Sequence, residues 1–97
     1  MAAPFQVPEG LEAFVDDEAN YLEWYRLHFR GYVLNASRGP SAKYLMMHRV
    51  NCIHLTGDLP WTTTDQSKVC GMSKEAIDEW TMSEFGCRAD RCNSCQP

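Results

Sequence analysis

His48 and Cys52, spaced H-x₃-C, and Cys92 and Cys95, spaced C-x₂-C, are the residues whose types and spacing point most clearly to chemistry. Zinc takes four nitrogen or sulfur ligands in a tetrahedron, and a two-residue gap lets two thiolates face one ion across a tight turn. Either spacing alone is common. Together, one expected at a strand end and the other beyond a helix, they make His48, Cys52, Cys92 and Cys95 the candidate ligands of a single structural Zn²⁺. Cys70 and Cys87 are further thiols, and spacing leaves open a Cys₄ set in which one of them replaces His48. Five cysteines, an odd number, clustered with histidine read as metal ligands in a reducing compartment before they read as a disulfide framework. His28, on an aromatic stripe, reads as a core histidine, and His54 as a surface residue or a support for the site.

Other chemistries lack their signatures. The chain has no H-E-x-x-H, no P-loop and no glycine-rich dinucleotide fingerprint, and no base oriented by a carboxylate is visible beside a nucleophile. A closed four-ligand zinc site holds structure together and leaves no position for water or substrate. No catalytic residue is expected, and the sequence reads as a non-enzymatic, zinc-stabilised binding or interaction module. The alternative is metal-thiolate alkyl transfer, in which a zinc-bound cysteine attacks a methyl group. Charge argues against it, because three thiolates and a neutral histidine leave the centre at −1, and Arg49 and Arg91 adjoin the ligands.

A chain of 97 residues forms one domain with a thin margin of stability, so a metal would matter to it. The formal charge of −4 is unevenly spread: only residues 31–70 are positive, with Arg38, Lys43, Arg49 and Lys68 against Asp58 and Asp65. That balance excludes a generic, densely basic nucleic-acid binder and leaves room for a local contact site. Arg38, Lys43 and Arg49, with Trp61 on a loop, are the candidate partner contacts. The partner is protein or nucleic acid, and the net acidity favours protein. Met1–Gly10 has neither a basic nor an apolar leader region, and no run reaches the ~18 apolar residues of a membrane span, so a cytoplasmic protein without a membrane partner is expected.

The elements that must position the ligands follow from periodicity. Residues 1–12, with Pro4, Pro8 and Gly10, read as a flexible arm. Asp16 or Asp17 can cap a helix over 17–29, where Tyr21, Trp24, Tyr25 and His28 recur at helical spacing and Gly31 ends the run. Residues 31–37 and 43–49 read as an antiparallel hairpin around Arg38-Gly39-Pro40-Ser41, and 66–70 as a short strand after a loop over Thr56–Asp65. Ser73 caps a helix over 73–85 that Gly86 closes. The predicted fold is therefore α+β: a small hairpin or short sheet with two helices and a zinc-bound C-terminal turn. Trp24, Tyr25, Val33, Leu45, Ile77 and Trp80 are the expected core.

The run HRVNC, the strand and capped helix in KVCGMSKEAIDEW, and the closing CNSC before Gln-Pro resemble the small zinc modules appended to bacterial nucleases. Those modules carry a Y-H-x₃-C … S-x-E-E-A … C-x₂-C-x-P pattern and are related to the metal-binding domain of the Ada DNA-repair protein. The resemblance covers about residues 44–97, which would form the zinc module, and implies His48, Cys52, Cys92 and Cys95 as ligands, with Ser73, Glu75 and Ala76 opening the helix. Residues 16–47 are also similar to an actinobacterial and phage-type family of uncharacterised small proteins with the order Y-L-x-W, G-Y-V-L-N, L-H-R-x-x-C, K-V-C and C-x₂-C. That likeness carries no function. The chain departs from the nuclease-appended pattern in its long 53–68 loop, its Trp61 and its added Cys87.

Overall fold

The computed structural model describes residues 5–52, 62 and 66–97. In order, its elements are β1 (Leu11–Phe14), α1 (Glu18–Leu27), β2 (Tyr32–Ser37), β3 (Leu45–Arg49), β4 (Gln66–Gly71), α2 (Lys74–Phe85) and β5 (Asp90–Arg91). The strands make one sheet in the order β1-β4-β2-β3-β5. All pairings are antiparallel except β3 with β5, where Met46 pairs with Asp90 and Met47 with Arg91. The fold is α+β, as the periodicities predicted.

Side chains alternate across a strand, so each residue of the sheet belongs to one of two cores. Leu34 and Ala36 of β2, Leu45 and Met47 of β3 and Val69 of β4 pack with Ile77 and Trp80 of α2. Val33 and Cys70 point the other way and pack with Tyr21 and Trp24 of α1, Phe14, Val50, Cys52 and Cys92. The sheet thus has a helix-covered apolar layer on each face, which explains why Val33, Leu34, Asn35 and Ala36 are buried consecutively. Five of the six expected core residues are buried; Tyr25 is half-buried and packs at the edge of the α1 layer.

Local chemistry sets the helix ends. Asp17 caps α1 by accepting from the Asn20 N–H at 3.4 Å, and Ser73 caps α2 by accepting from the Ala76 N–H at 3.2 Å. Gly86, at φ 74, closes α2 by donating its N–H to the Met82 carbonyl at 3.0 Å, a left-handed conformation that suits glycine. α1 stops two residues earlier than predicted because His28 turns back: its Nδ1 lies 2.8 Å from the Trp24 carbonyl and its ring stacks on the Trp24 indole at 4.4 Å. His28 is accordingly a helix-terminating residue and no part of the ligand cluster.

Two strands were not expected. β1 starts at Leu11, inside the stretch read as an arm, because Leu11 to Phe14 pair with Gly71 to Lys68 and place Leu11 and Phe14 in opposite cores. Phe5 also stacks on Trp80 at 5.9 Å. β5 is two residues long, too short for any periodicity, and is recruited by pairing to the free edge of β3. His54, Trp61 and, apart from Thr62, the loop expected over Thr56–Asp65 lie outside the described residues. Thr62 is described: it is fully buried, accepts the Asp17 N–H at 2.8 Å and donates through its N–H and hydroxyl to Glu18, so it holds the start of α1. No helix among the described residues is long and apolar enough to cross a membrane.

Gly31 fixes how closely the end of α1 approaches the sheet. A Cβ there would lie 2.7 Å from the Trp24 ring and 3.2 Å from the carbonyl oxygens of His28 and Gly71. Gly31→Ala should therefore lower stability by about 1–3 kcal/mol, the usual cost of overpacking. Urea unfolding checks this, and an unchanged midpoint would contradict the packing described.

Candidate metal centre

Three chain segments deliver the four expected ligands. His48 is the penultimate residue of β3, on the face that α1 covers, and Cys52 follows in the turn where its N–H donates to the Arg49 carbonyl at 3.0 Å. Cys92 follows β5 directly, held by donation of its N–H to the Met47 carbonyl at 3.0 Å, which extends the parallel ladder by one bond. The Cys92–Cys95 turn then folds back, with the Gln96 N–H donating to the Cys92 carbonyl at 2.9 Å. The parallel β3–β5 pairing therefore places the second half-site beside the first.

The ligand atoms of His48, Cys52, Cys92 and Cys95 all lie within 4.8 Å of one another. The Cys52 and Cys92 sulfurs are 3.7 Å apart, far too long for a disulfide. That separation is instead the edge of a tetrahedron whose metal–sulfur bonds are about 2.3 Å, for which geometry gives about 3.8 Å. The cluster can hold a metal ion. Cys70 is fully buried beneath α1, where desolvation pushes its thiol well above the ordinary range, as suits a small core residue. Cys87 is half-buried against the α2 core. Neither belongs to the cluster found among the described residues.

Hydrogen bonds to the sulfurs shape the site's electrostatics. Burial acts to raise the Cys92 thiol, but the N–H groups of Cys95 and Ser94 and the neighbouring Cys52 and Cys95 side chains outweigh it and hold it below the ordinary range. The Arg49 N–H donates to the Cys95 sulfur at 3.2 Å. The Arg49 side chain clasps the same turn, Nε to the Cys95 carbonyl at 3.0 Å and Nη2 to the Gln96 carbonyl at 3.1 Å, with its guanidinium 5.8 Å from the centre of the Tyr32 ring. On the far side, Arg91 forks onto Asp78 of α2, Nη1 to Oδ1 at 2.9 Å and Nη2 to Oδ2 at 2.5 Å, and the Arg91 guanidinium holds the Asp78 carboxyl below the usual carboxylate range. This pair ties α2 to the strand that carries Cys92. A hollow of about 310 Å³, lined by Arg49, Asn51, Cys52, Ser94 and Cys95, opens beside two of the sulfurs.

The expected partner contacts are dispersed. Arg38 and Lys43 flank the β2–β3 connection; Arg38 pairs with Asp16, and Lys43 is exposed. Arg49 sits at the other end of β3 and is committed to the cysteine turn. Trp61 lies outside the described residues.

Asn35 and Lys68 were missed by the sequence reading. Asn35 lies opposite Lys68 across β2 and β4 and opposite Met46 across β2 and β3, so His48 is its diagonal neighbour on the α1 face. Lys68 Nζ donates to Asn35 Oδ1, and Asn35 Nδ2 donates to His48 Nε2 at 3.2 Å; all three side chains are buried. The available signal was an asparagine within the apolar run of β2, a residue depleted in strand interiors. Comparison with family models, with curated proteins and with solved structures gives no match.

Two outcomes test this geometry. Cys92→Ala should lose metal and the cooperativity of unfolding, whereas Cys87→Ala should keep both; equal metal loss by the two variants, measured by native mass spectrometry, would mean that another set of ligands operates. Burial pushes Lys68 down from 10.5 to about 8. Between those values the unfolded chain binds more protons than the folded one, so stability rises with pH there. Below pH 8 the buried ammonium carries its full cost, on the order of 2–3 kcal/mol. Lys68→Met should therefore stabilise the metal-free protein at pH 7 by an amount that shrinks by pH 10. A difference that stays constant across that window, measured by urea unfolding in reductant, would contradict the assignment.

Proposed function

We propose that this chain is a zinc-stabilised interaction module in which the ion is structural and no reaction is catalysed. The observation that carries the reading is the convergence of three sulfurs and one imidazole from β3, the turn after it and the C-terminal turn, with the Cys52 and Cys92 sulfurs 3.7 Å apart. Three sulfurs and one nitrogen suit zinc, which imposes no geometry of its own and accepts this donor set in closed structural sites. Bound there, zinc supplies a cross-link between chain segments; an apparent ~10–16 kcal/mol in small peptides at neutral pH equals the whole net stability of many domains. The Ada-like resemblance of residues 44–97 points to the same ligand set.

The partner is more readily a protein than a nucleic acid. Among Arg38, Lys43 and Arg49, Arg38 pairs with Asp16 and the Arg49 guanidinium is spent on the Cys95 and Gln96 carbonyls, so the basic strip offers phosphates little beyond the exposed Lys43. The recognition surface is the β2–β3 connection around Lys43, since loops on a fixed scaffold commonly bear recognition.

One observation favours the alkyl-transfer alternative: the hollow beside Cys52 and Cys95 would admit a small electrophile. Two others weigh against it. Backbone N–H groups donate to the sulfurs of Cys92 and Cys95, which withdraws charge from the thiolates, and the Arg49 guanidinium lies against the same turn. Incubation of the zinc-loaded protein with methylphosphotriester DNA, followed by intact-mass measurement, is expected to leave the mass unchanged. A zinc-dependent gain of one methyl group on Cys52, Cys92 or Cys95 would overturn the interaction-module reading in favour of alkyl transfer.

A further inference from the structure

A histidine that binds a metal through one ring nitrogen commonly spends the other on an orienting hydrogen bond, and such partners control metal affinity nearly as much as the ligands do. His48 Nε2 already faces the Asn35 side-chain amide at 3.2 Å inside the protein. Asn35 is itself held from behind, because the buried Lys68 ammonium donates to its Oδ1. An ammonium has three donors and no acceptor, so it keeps Asn35 Oδ1 within its reach. A buried lysine is costly, and its use to orient one amide next to one ligand asks for a reason beyond packing.

We propose that Asn35 is a positioning residue for the metal centre: it sets the orientation and ring-nitrogen usage of His48, assigning Nδ1 to the metal, and Lys68 anchors it. The inference rests on the metal-centre reading and adds to it. With Nε2 engaged by Asn35, the metal takes Nδ1. Coordination through Nδ1 leaves the ring proton on Nε2, which then needs an acceptor in place of the Asn35 amide N–H. The amide answers by presenting Oδ1, whose two lone pairs can serve Lys68 Nζ and His48 Nε2 together. A carboxylate at position 35 would serve both without turning, because it only accepts. An aliphatic side chain of similar size would serve neither.

The test compares wild type, Asn35→Asp and Asn35→Leu as full-length reduced proteins, with zinc affinity measured by competition against a chromophoric chelator. Asn35→Leu should bind zinc about 10–100-fold more weakly, the usual effect of removing a hydrogen-bond partner of a ligand. Asn35→Asp should bind more tightly than wild type, although it places a further charge in the interior. A purely structural role for Asn35 would shift the unfolding midpoint of the metal-free protein without producing the affinity order Asp, Asn, Leu. Long-range ¹H–¹⁵N NMR of the His48 ring in the zinc-bound wild type should find the proton on Nε2 and the metal on Nδ1. Affinities within twofold across the series, or metal on Nε2, would overturn the proposal. Should Asn35→Leu not fold, an Asn35→Asp affinity no tighter than wild type overturns it alone. A wild type that takes up no zinc would remove the metal reading and this one with it, whereas tight wild-type binding with an indifferent position 35 would remove only the second.

Discussion

The parallel pairing of β3 with β5 is the interaction on which the rest of the arrangement depends. A two-residue strand contributes little by itself, yet its bonds to Met46 and Met47, continued by the Cys92 N–H, put the C-terminal cysteines beside His48. A parallel pair needs a long crossover, and here α2 supplies part of it by packing Ile77 and Trp80 on the opposite face of the sheet. The bidentate contact between Asp78 and Arg91 then ties the helix to the returning strand. The His–Cys cluster and the α2 layer are thus coupled through one short ladder although they lie on different faces of the sheet.

The site is built into the α1 core. Cys52 and Cys92 pack with Val33, Val50 and Trp24, so three of the four ligands are buried and the fourth is half-buried. Metal-free, that corner places thiols in apolar surroundings; with the thiols deprotonated it concentrates negative charge that needs a cation. The N–H donors from Ser94, Cys95 and Arg49 and the Arg49 clasp on the Cys95 and Gln96 carbonyls preorganise the turn for that charge.

Much of the architecture was legible because its signals are local. Asp17 and Ser73 at helix starts, Gly86 at a helix end, and the alternation through Tyr32–Ser37 and Leu45–Arg49 each report a short-range preference that the tertiary structure keeps. What could not be read was set by long-range pairing. Leu11–Phe14 becomes a strand because β4 offers an edge 60 residues away at Leu11↔Gly71, and a Leu-Glu-Ala-Phe run has no strong preference of its own. Asp90–Arg91 is equally invisible. At the site, the clustering of His48, Cys52, Cys92 and Cys95 was legible because a shared site restricts residue type and spacing, whereas Asn35 and Lys68 reach His48 only through cross-strand neighbourhood, which no linear spacing encodes.

The most direct test of the account is X-ray absorption at the zinc edge of protein purified under reducing conditions, with metal content measured on the same sample. The account predicts one zinc per chain with three sulfur ligands at about 2.3 Å and one nitrogen at about 2.0–2.1 Å. A first shell of four sulfurs would reject His48 as a ligand, and a shell of oxygen atoms, or protein that folds cooperatively without retaining a metal, would contradict the claim that a closed metal centre holds the C-terminal turn against the sheet.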